Sequence, residues 1–362
     1  MYAVSKIVCW FEENFQSIRA SRRKTLANIV AGAMKMTGSG VLALGRAMPG
    51  ETFIKHRIKR VDRFLGNDQL EMKTLFGGLF NALRGTNKSP VVLVDWTDRR
   101  AYKQLVFALS KNGRALPFLW VTIQKAELEA STQGLEIQAE TQALALLAKL
   151  CPPSVRPILI ADRGFGNARW LSEIQKWGWL FVQRLAKNHY VEMAERIGVL
   201  RELGIRRGQR PRDWGWGTLG EQKTGWMRLV TVYDRQAKAP WYLVTNIEDA
   251  RAKAIVSLYA KRMWIEGMFR DLKNPQYGLG LDLVNLSDAA RTTRHFAIVA
   301  IAYILLAAIG SIAERKQRDK TIKANTVKRR TLTLAAIGNL LIECVQRMTI
   351  ATTIRQLVAL PT

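Results

Sequence analysis

The chain has 362 residues, room for two or three domains, and its 48% hydrophobic content excludes a disordered polyelectrolyte. Its 56 Lys and Arg against 29 Asp and Glu give a net charge of +27 spread along most of the length, so a folded basic surface facing a polyanion, most simply nucleic acid, is expected. Three isolated cysteines (Cys9, Cys151, Cys344) and three scattered histidines (His56, His189, His295) argue against a disulfide framework and a zinc site, and for a reducing compartment.

The N-terminus, with Glu12 and Glu13 close behind a short apolar stretch, does not read as a signal peptide. Residues 1 to about 85 are predicted to be helical. Arg19, Arg22, Arg23 and Lys24 precede an apolar-periodic stretch, Leu26 to Met36, that closes near Gly38 and Gly40. A further helix is predicted over 53–67, where Ile54, Ile58, Val61 and Leu65 form an apolar face and Arg57, Lys59 and Arg60 lie largely off it. Such a helix can pack on one side and lie against phosphates on the other. A solvated basic face would show the same pattern.

The turn cluster Gly85 to Pro90 marks a boundary, after which strands are predicted: Val91 to Val94, Tyr102 to Leu109 and Pro117 to Ile123. A helix over Gly134 to Leu150, a strand over Pro157 to Ala161, a helix over Ala168 to Trp177 and a strand over Leu180 to Leu185 follow. Asp95 and Asp162 each end a buried apolar strand. Ligands of open α/β sheets gather at the carboxyl ends of strands, and adjacent strands would bring these carboxylates together. A buried-edge carboxylate is costly without a compensating cation, which a metal ion would supply. Either Asp alone could equally be a helix cap or turn residue, and Asp98 is a fallback for Asp95.

Asp162 and Glu266 are 104 positions apart, more than one crossover needs. The turn-rich Trp214 to Gly217 and the alternating segments Leu229 to Tyr233 and Trp241 to Val244 read as a β-rich insertion. Then comes Tyr259-x-x-Arg262-x-x-x-Glu266-x-x-x-x-x-x-Lys273. At ~100° per residue these four side chains fall within about 60° of arc on one helix, a carboxylate among two cations and a phenol. That grouping suits an acid that holds a metal beside a nucleic-acid strand fixed by phosphate-binding groups. The uncharged run Phe296 to Ala313 is about long enough to cross a bilayer, but it is Ala-rich and solitary and reads as a buried core helix. The chain is predicted to stay helical from Arg291 onward, with a basic stretch from Arg315 to Arg330.

The Tyr259–Arg262–Glu266–Lys273 spacing resembles, without a gap, the Tyr-Arg-Glu-Lys signature of the insertion-sequence-four family of bacterial DDE transposases. Asp95-Trp96-Thr97-Asp98 and Asp162-Arg163-Gly164-Phe165 resemble the surroundings of that family's first two acids, and 53–67 resembles its N-terminal DNA-binding region. The resemblance implies an α/β fold, with a ribonuclease-H-like core interrupted by a β-rich insertion and flanked by helical regions. The expected parts are 1–85 (helical, DNA-binding), 86–185 and 248–313 (core), 186–247 (insertion) and 314–362 (C-terminal helices, which by analogy contribute to pairing two protomers). Asp95, Asp162 and Glu266 would be the catalytic acids holding two Mg²⁺ ions, with Mn²⁺ able to substitute. Tyr259, Arg262 and Lys273 would bind DNA, together with Arg57, Lys59 and Arg60. Trp241 would stack on a flipped base, a role open also to Trp214, Trp216 or Trp226. The implied activity is cut-and-paste transposition through a DNA hairpin, on double-stranded DNA with terminal inverted repeats and a target DNA. A homodimer in the synaptic complex and a cytoplasmic, nucleoid-associated setting without membrane contact complete the expectation. A structure-specific nuclease, or a DNA-binding remnant acting as a repressor, would share much of this sequence; a membrane protein with a basic cytoplasmic face would rest on 296–313 alone.

Overall fold

A computed structural model describes residues 2–35, 38–131, 134–194, 196–220, 224–275, 278–322 and 332–341. The N-terminal helices are α1 (Tyr2–Asn14), α2 (Ala20–Ala33), α3 (Val41–Ala47), α4 (Ile54–Leu65) and α5 (Met72–Arg84). Three strands follow, β1 (Val91–Arg99), β2 (Tyr102–Lys111) and β3 (Arg114–Gln124), then α6 (Lys125–Ala130) and α7 (Leu135–Leu150). Next come β4 (Ile158–Ala161), α8 (Ala168–Lys176), β5 (Leu180–Leu185), β6 (Tyr190–Met193), β7 (Arg196–Val199), β8 (Gln209–Leu219), β9 (Thr224–Tyr233) and β10 (Trp241–Thr245). The chain ends in α9 (Ala252–Ala260), α10 (Met263–Lys273), α11 (Ala289–Arg315) and α12 (Leu334–Leu341). Contacts divide it into two compact units, one of residues 1–86, 96–134 and 266–362 and the other of 87–95 and 135–265.

The first unit is organised by α11. Asp288 caps it by accepting from the Arg291 backbone N–H at 2.7 Å, and every residue from Arg294 to Ala313 is buried. It packs on α2, α4, β3 and α12, so the run that is long enough for a bilayer is a core helix. Two glycines permit the closest crossing. A Cβ at Gly310 would lie 1.8 Å from the Leu334 carbonyl oxygen, and one at Gly338 1.9 Å from that of Leu306. Arg294, just before the apolar run, also lies inside, where it reaches the Leu65 carbonyl and Asp68. Asn112 and Gly113, both at positive φ, turn β2 into β3. Most of the expected helical region after 315 falls on residues 323–331 and 342–362, outside the described set, as does Cys344.

In the second unit the strand order is β1-β4-β5-β10-β9-β8-β6-β7. The pairs β1–β4 and β4–β5 are parallel, as the apolar runs Val91 to Val94 and Ile158 to Ala161 suggest, and α8 supplies the crossover between β4 and β5. The β-rich stretch after β5 continues this sheet: β10 pairs antiparallel with β5, Tyr242 opposite Leu185 through Thr245 opposite Val182. Asn246 secures the return by accepting from Phe181 N–H at 2.9 Å and donating to the Trp179 carbonyl at 2.8 Å. The Trp214 to Gly217 segment is not a turn but part of β8. The register slips between Asp213 and Trp216, where Gly215 takes φ 76°, and Gly217 has no room for a side chain because a Cβ would fall 2.0 Å from the Glu192 carbonyl oxygen.

Candidate active site

Parallel register explains why two distant carboxylates meet. Val94 is opposite Ala161, so Asp95 and Asp162 are the next step along adjacent strands, which run about 4.8 Å apart. Asp95 is not at the end of its strand, as the apolar run suggested. β1 continues to Arg99, and Asp95 marks where parallel pairing with β4 stops. Asp98, three residues on, points to the opposite face of the strand and is held by Lys125 at 3.0 Å, a contact that lowers its carboxyl pKa.

Between the two acids stands a cation of the chain itself. One guanidinium nitrogen of Arg262, Nη2, is 3.2 Å from Asp95 Oδ2 and 3.3 Å from Asp162 Oδ2. The Tyr259 hydroxyl donates to Asp162 Oδ1 at 3.4 Å. Burial pushes the Tyr259 pKa far up, and the adjacent Asp162 charge adds to the shift. It is therefore a neutral hydroxyl donor. The Trp241 ring meets Tyr259 edge-on, centroids 4.9 Å apart, which fixes both rings. Trp241 is half-buried there, whereas Trp226 is 63% exposed and stacked on Trp216 at 6.5 Å.

The four-residue stripe does not lie on one uninterrupted helix. Residues 261 and 262 form a tightened junction between α9 and α10, where Arg262 N–H donates to the Tyr259 carbonyl and Ile265 N–H to that of Arg262. This break turns Arg262 into the acid pair. The first unit holds the rest of the motif. Glu266, half-buried, sits in the first turn of α10, and Lys273 closes the helix, its Nζ 2.5 Å from the Asp98 carbonyl and 3.6 Å from Asp282 Oδ2. Among the described residues no three His, Cys, Asp or Glu side chains gather at one point. The pair Asp95–Asp162 nonetheless fits a hard cation. Two carboxylate oxygens face a single position, already taken by positive charge from Arg262.

Two residues of β5 that belong to no sequence motif support the pair. Gln183, 1% exposed, donates to the Asp162 carbonyl at 2.5 Å and to the Arg184 carbonyl at 2.9 Å, locking the backbone that carries the acid. Arg184 interacts with the Tyr259 hydroxyl. Their only signal is a polar pair inside an otherwise apolar strand.

In the first unit α2 and α4 line a cleft of about 380 Å³ with Arg19, Arg22, Lys59, Arg60 and Arg63. Arg57 is not among them. It is half-buried and donates to the Met48 carbonyl at 2.5 Å, so it serves the packing of α4. The expected apolar face of α4 is also shifted: Ile54 is 49% exposed and Ile58 abuts Gly45, while Phe64 joins Val61 and Leu65 in the core.

Compared with known families, residues 86–305 match the one described as "Transposase DDE domain", more than half of the chain. No curated protein matches. The matched span runs from before β1 into α11 and contains Asp95, Asp162 and Glu266, and the chain belongs to the DDE transposase family.

Proposed function

We propose that this protein is a cut-and-paste transposase of the insertion-sequence-four type, and that the order β3-β2-β1-β4-β5 is a ribonuclease-H-like core whose insertion begins after β5. The observation that carries the reading is the Asp95–Asp162 pair where the parallel pairing of β1 with β4 stops, bridged by Arg262 and held by Tyr259 and Gln183. Asp95 and Asp162, with Glu266, would hold two Mg²⁺ ions, or Mn²⁺, which when bound stabilise the attacking and leaving oxygens of an in-line displacement at phosphorus.

The chain's own groups supply the rest. Arg262 has a planar fork suited to a DNA phosphate, and Lys273 adds a point charge. Tyr259 keeps Asp162 oriented, and Trp241, or else Trp214, Trp216 or Trp226, offers an aromatic face to an unstacked base. Water displaces the 3′ oxygen of the element's end and leaves a 3′-hydroxyl. That hydroxyl then attacks phosphorus on the opposite strand, sealing a hairpin and freeing the flanking DNA. Recognition of inverted repeats falls to 1–85, with Lys59 and Arg60 on the cleft. The working form is a homodimer on two ends, and the setting is the bacterial cytoplasm.

An end-labelled duplex carrying the inverted repeat that brackets this reading frame tests the proposal. On denaturing gels with Mg²⁺, nicked and then hairpin products are expected, and Trp241→Ala should accumulate the nick. Cleavage without any hairpin would reduce the reading to a structure-specific nuclease, and binding without cleavage to a repressor.

A further inference from the structure

A second concavity of the second unit is lined by neither Asp95 nor Asp162. A groove of about 1030 Å³ runs between the outer face of α9 and the end of the β8–β9 ribbon. Val232 and Val256 form its floor, and Arg210, Arg235 and Lys253 its exposed rim. None of these three cations is in an ion pair among the described residues. The rim's acid, Asp234, is exposed and accepts from Gln236 N–H at 2.8 Å.

The local sequence builds this surface. Arg206, Arg207, Arg210 and Arg212 fall within seven residues. Arg207 lies over the Tyr233 ring, 5.4 Å from its centroid, and donates to the Ala237 carbonyl at 3.2 Å, which ties the two turns together. Gly208, at φ 80°, lets Arg235 cross it, since a Cβ there would sit 3.1 Å from that side chain. An apolar floor under a cationic rim suits a nucleic-acid strand, sugars below and phosphates above. The helix that forms one wall also leads to the chemistry: Lys253 to Tyr259 is about 9 Å along the axis of α9.

We propose that this groove is a second DNA-backbone channel, borne by the insertion, which carries a strand along α9 toward Asp95 and Asp162. The proposal rests on the reading of DNA as substrate. Its test is fluorescence anisotropy of a labelled 30-base-pair duplex with the full chain over a salt series. Wild type should give a steep log–log plot, and Arg210→Gln/Arg235→Gln should lower the slope by about two and weaken binding at every sequence. Lys253→Gln, on an exposed helix face, should lower it by about one and serves if the double variant melts early. A steep wild-type plot with unchanged slopes in these variants would overturn the channel while leaving DNA binding intact. A flat wild-type plot would overturn the DNA reading itself. Labelled poly-glutamate is the control: variants that lose it but keep the wild-type DNA slope would assign the groove to an acidic protein and refute the proposal.

Discussion

Arg262 carries the most specific chemistry in the molecule. A single nitrogen shared by two carboxylates neutralises a pair that would otherwise repel. Arg262→Gln should therefore destabilise the metal-free protein by about 1–3 kcal/mol, because two acids lose their charged donor. Added Mn²⁺ should then raise the melting temperature of the variant more than that of wild type, since the ion no longer competes with the guanidinium. Equal Mn²⁺ shifts in thermal melts of the two proteins would contradict this exchange. Tyr259→Phe, which keeps the contact with Trp241 and removes only the hydroxyl bond to Asp162, should cost about 0.5–1.5 kcal/mol in the same assay. Asp95 and Asp162 are legible because each follows an apolar run. Gln183 and Arg184 are not, because a polar residue inside a buried strand is explained only by the backbone or hydroxyl it meets in three dimensions.

At the scale of elements, α11 shows how composition and burial interact. Its apolar run is plain in the sequence, but that it is packed on all sides depends on neighbours far along the chain, above all the glycine crossing with α12. Gly338→Ala would set a methyl 1.9 Å from the Leu306 carbonyl and should lower stability by about 1–3 kcal/mol in denaturant titration. His295, in the second turn of this helix, receives a hydrogen bond at Nδ1 from Arg99 at 2.7 Å and donates from Nε2 to the Ser39 carbonyl at 2.6 Å. Burial, reinforced by the Arg99 charge, drops its pKa from 6.5 to about 3. The folded state thus keeps the ring neutral where the unfolded chain protonates it. Its stabilising contribution is whole above pH 6.5 and is lost progressively as pH falls toward about 3, by up to ~1.4 kcal/mol per unit. His295→Gln, a neutral replacement, should flatten that part of the stability profile; an unchanged slope would place the sensitivity elsewhere. The Tyr259 to Lys273 stripe teaches the converse. Its spacing is visible in the sequence, but the break at 261–262 that swings Arg262 onto the acids is not, because no Gly or Pro announces it.

For the whole molecule, the charge of +27 predicts DNA affinity that falls steeply with salt. The strand and helix order of the core is legible because buried parallel strands read as apolar runs. That the insertion continues the same sheet is less so, since antiparallel pairing of β10 with β5 is set by register and not by composition. We propose that Asp95 and Asp162, with Glu266, form the centre of DNA cleavage. The direct measurement compares cleavage and binding of an inverted-repeat duplex in Mg²⁺ by wild type and by Asp95→Ala, Asp162→Ala and Glu266→Ala. Cleavage should disappear in all three while binding stays within a fewfold of wild type; wild-type cleavage by any one of them would remove that residue from the active site.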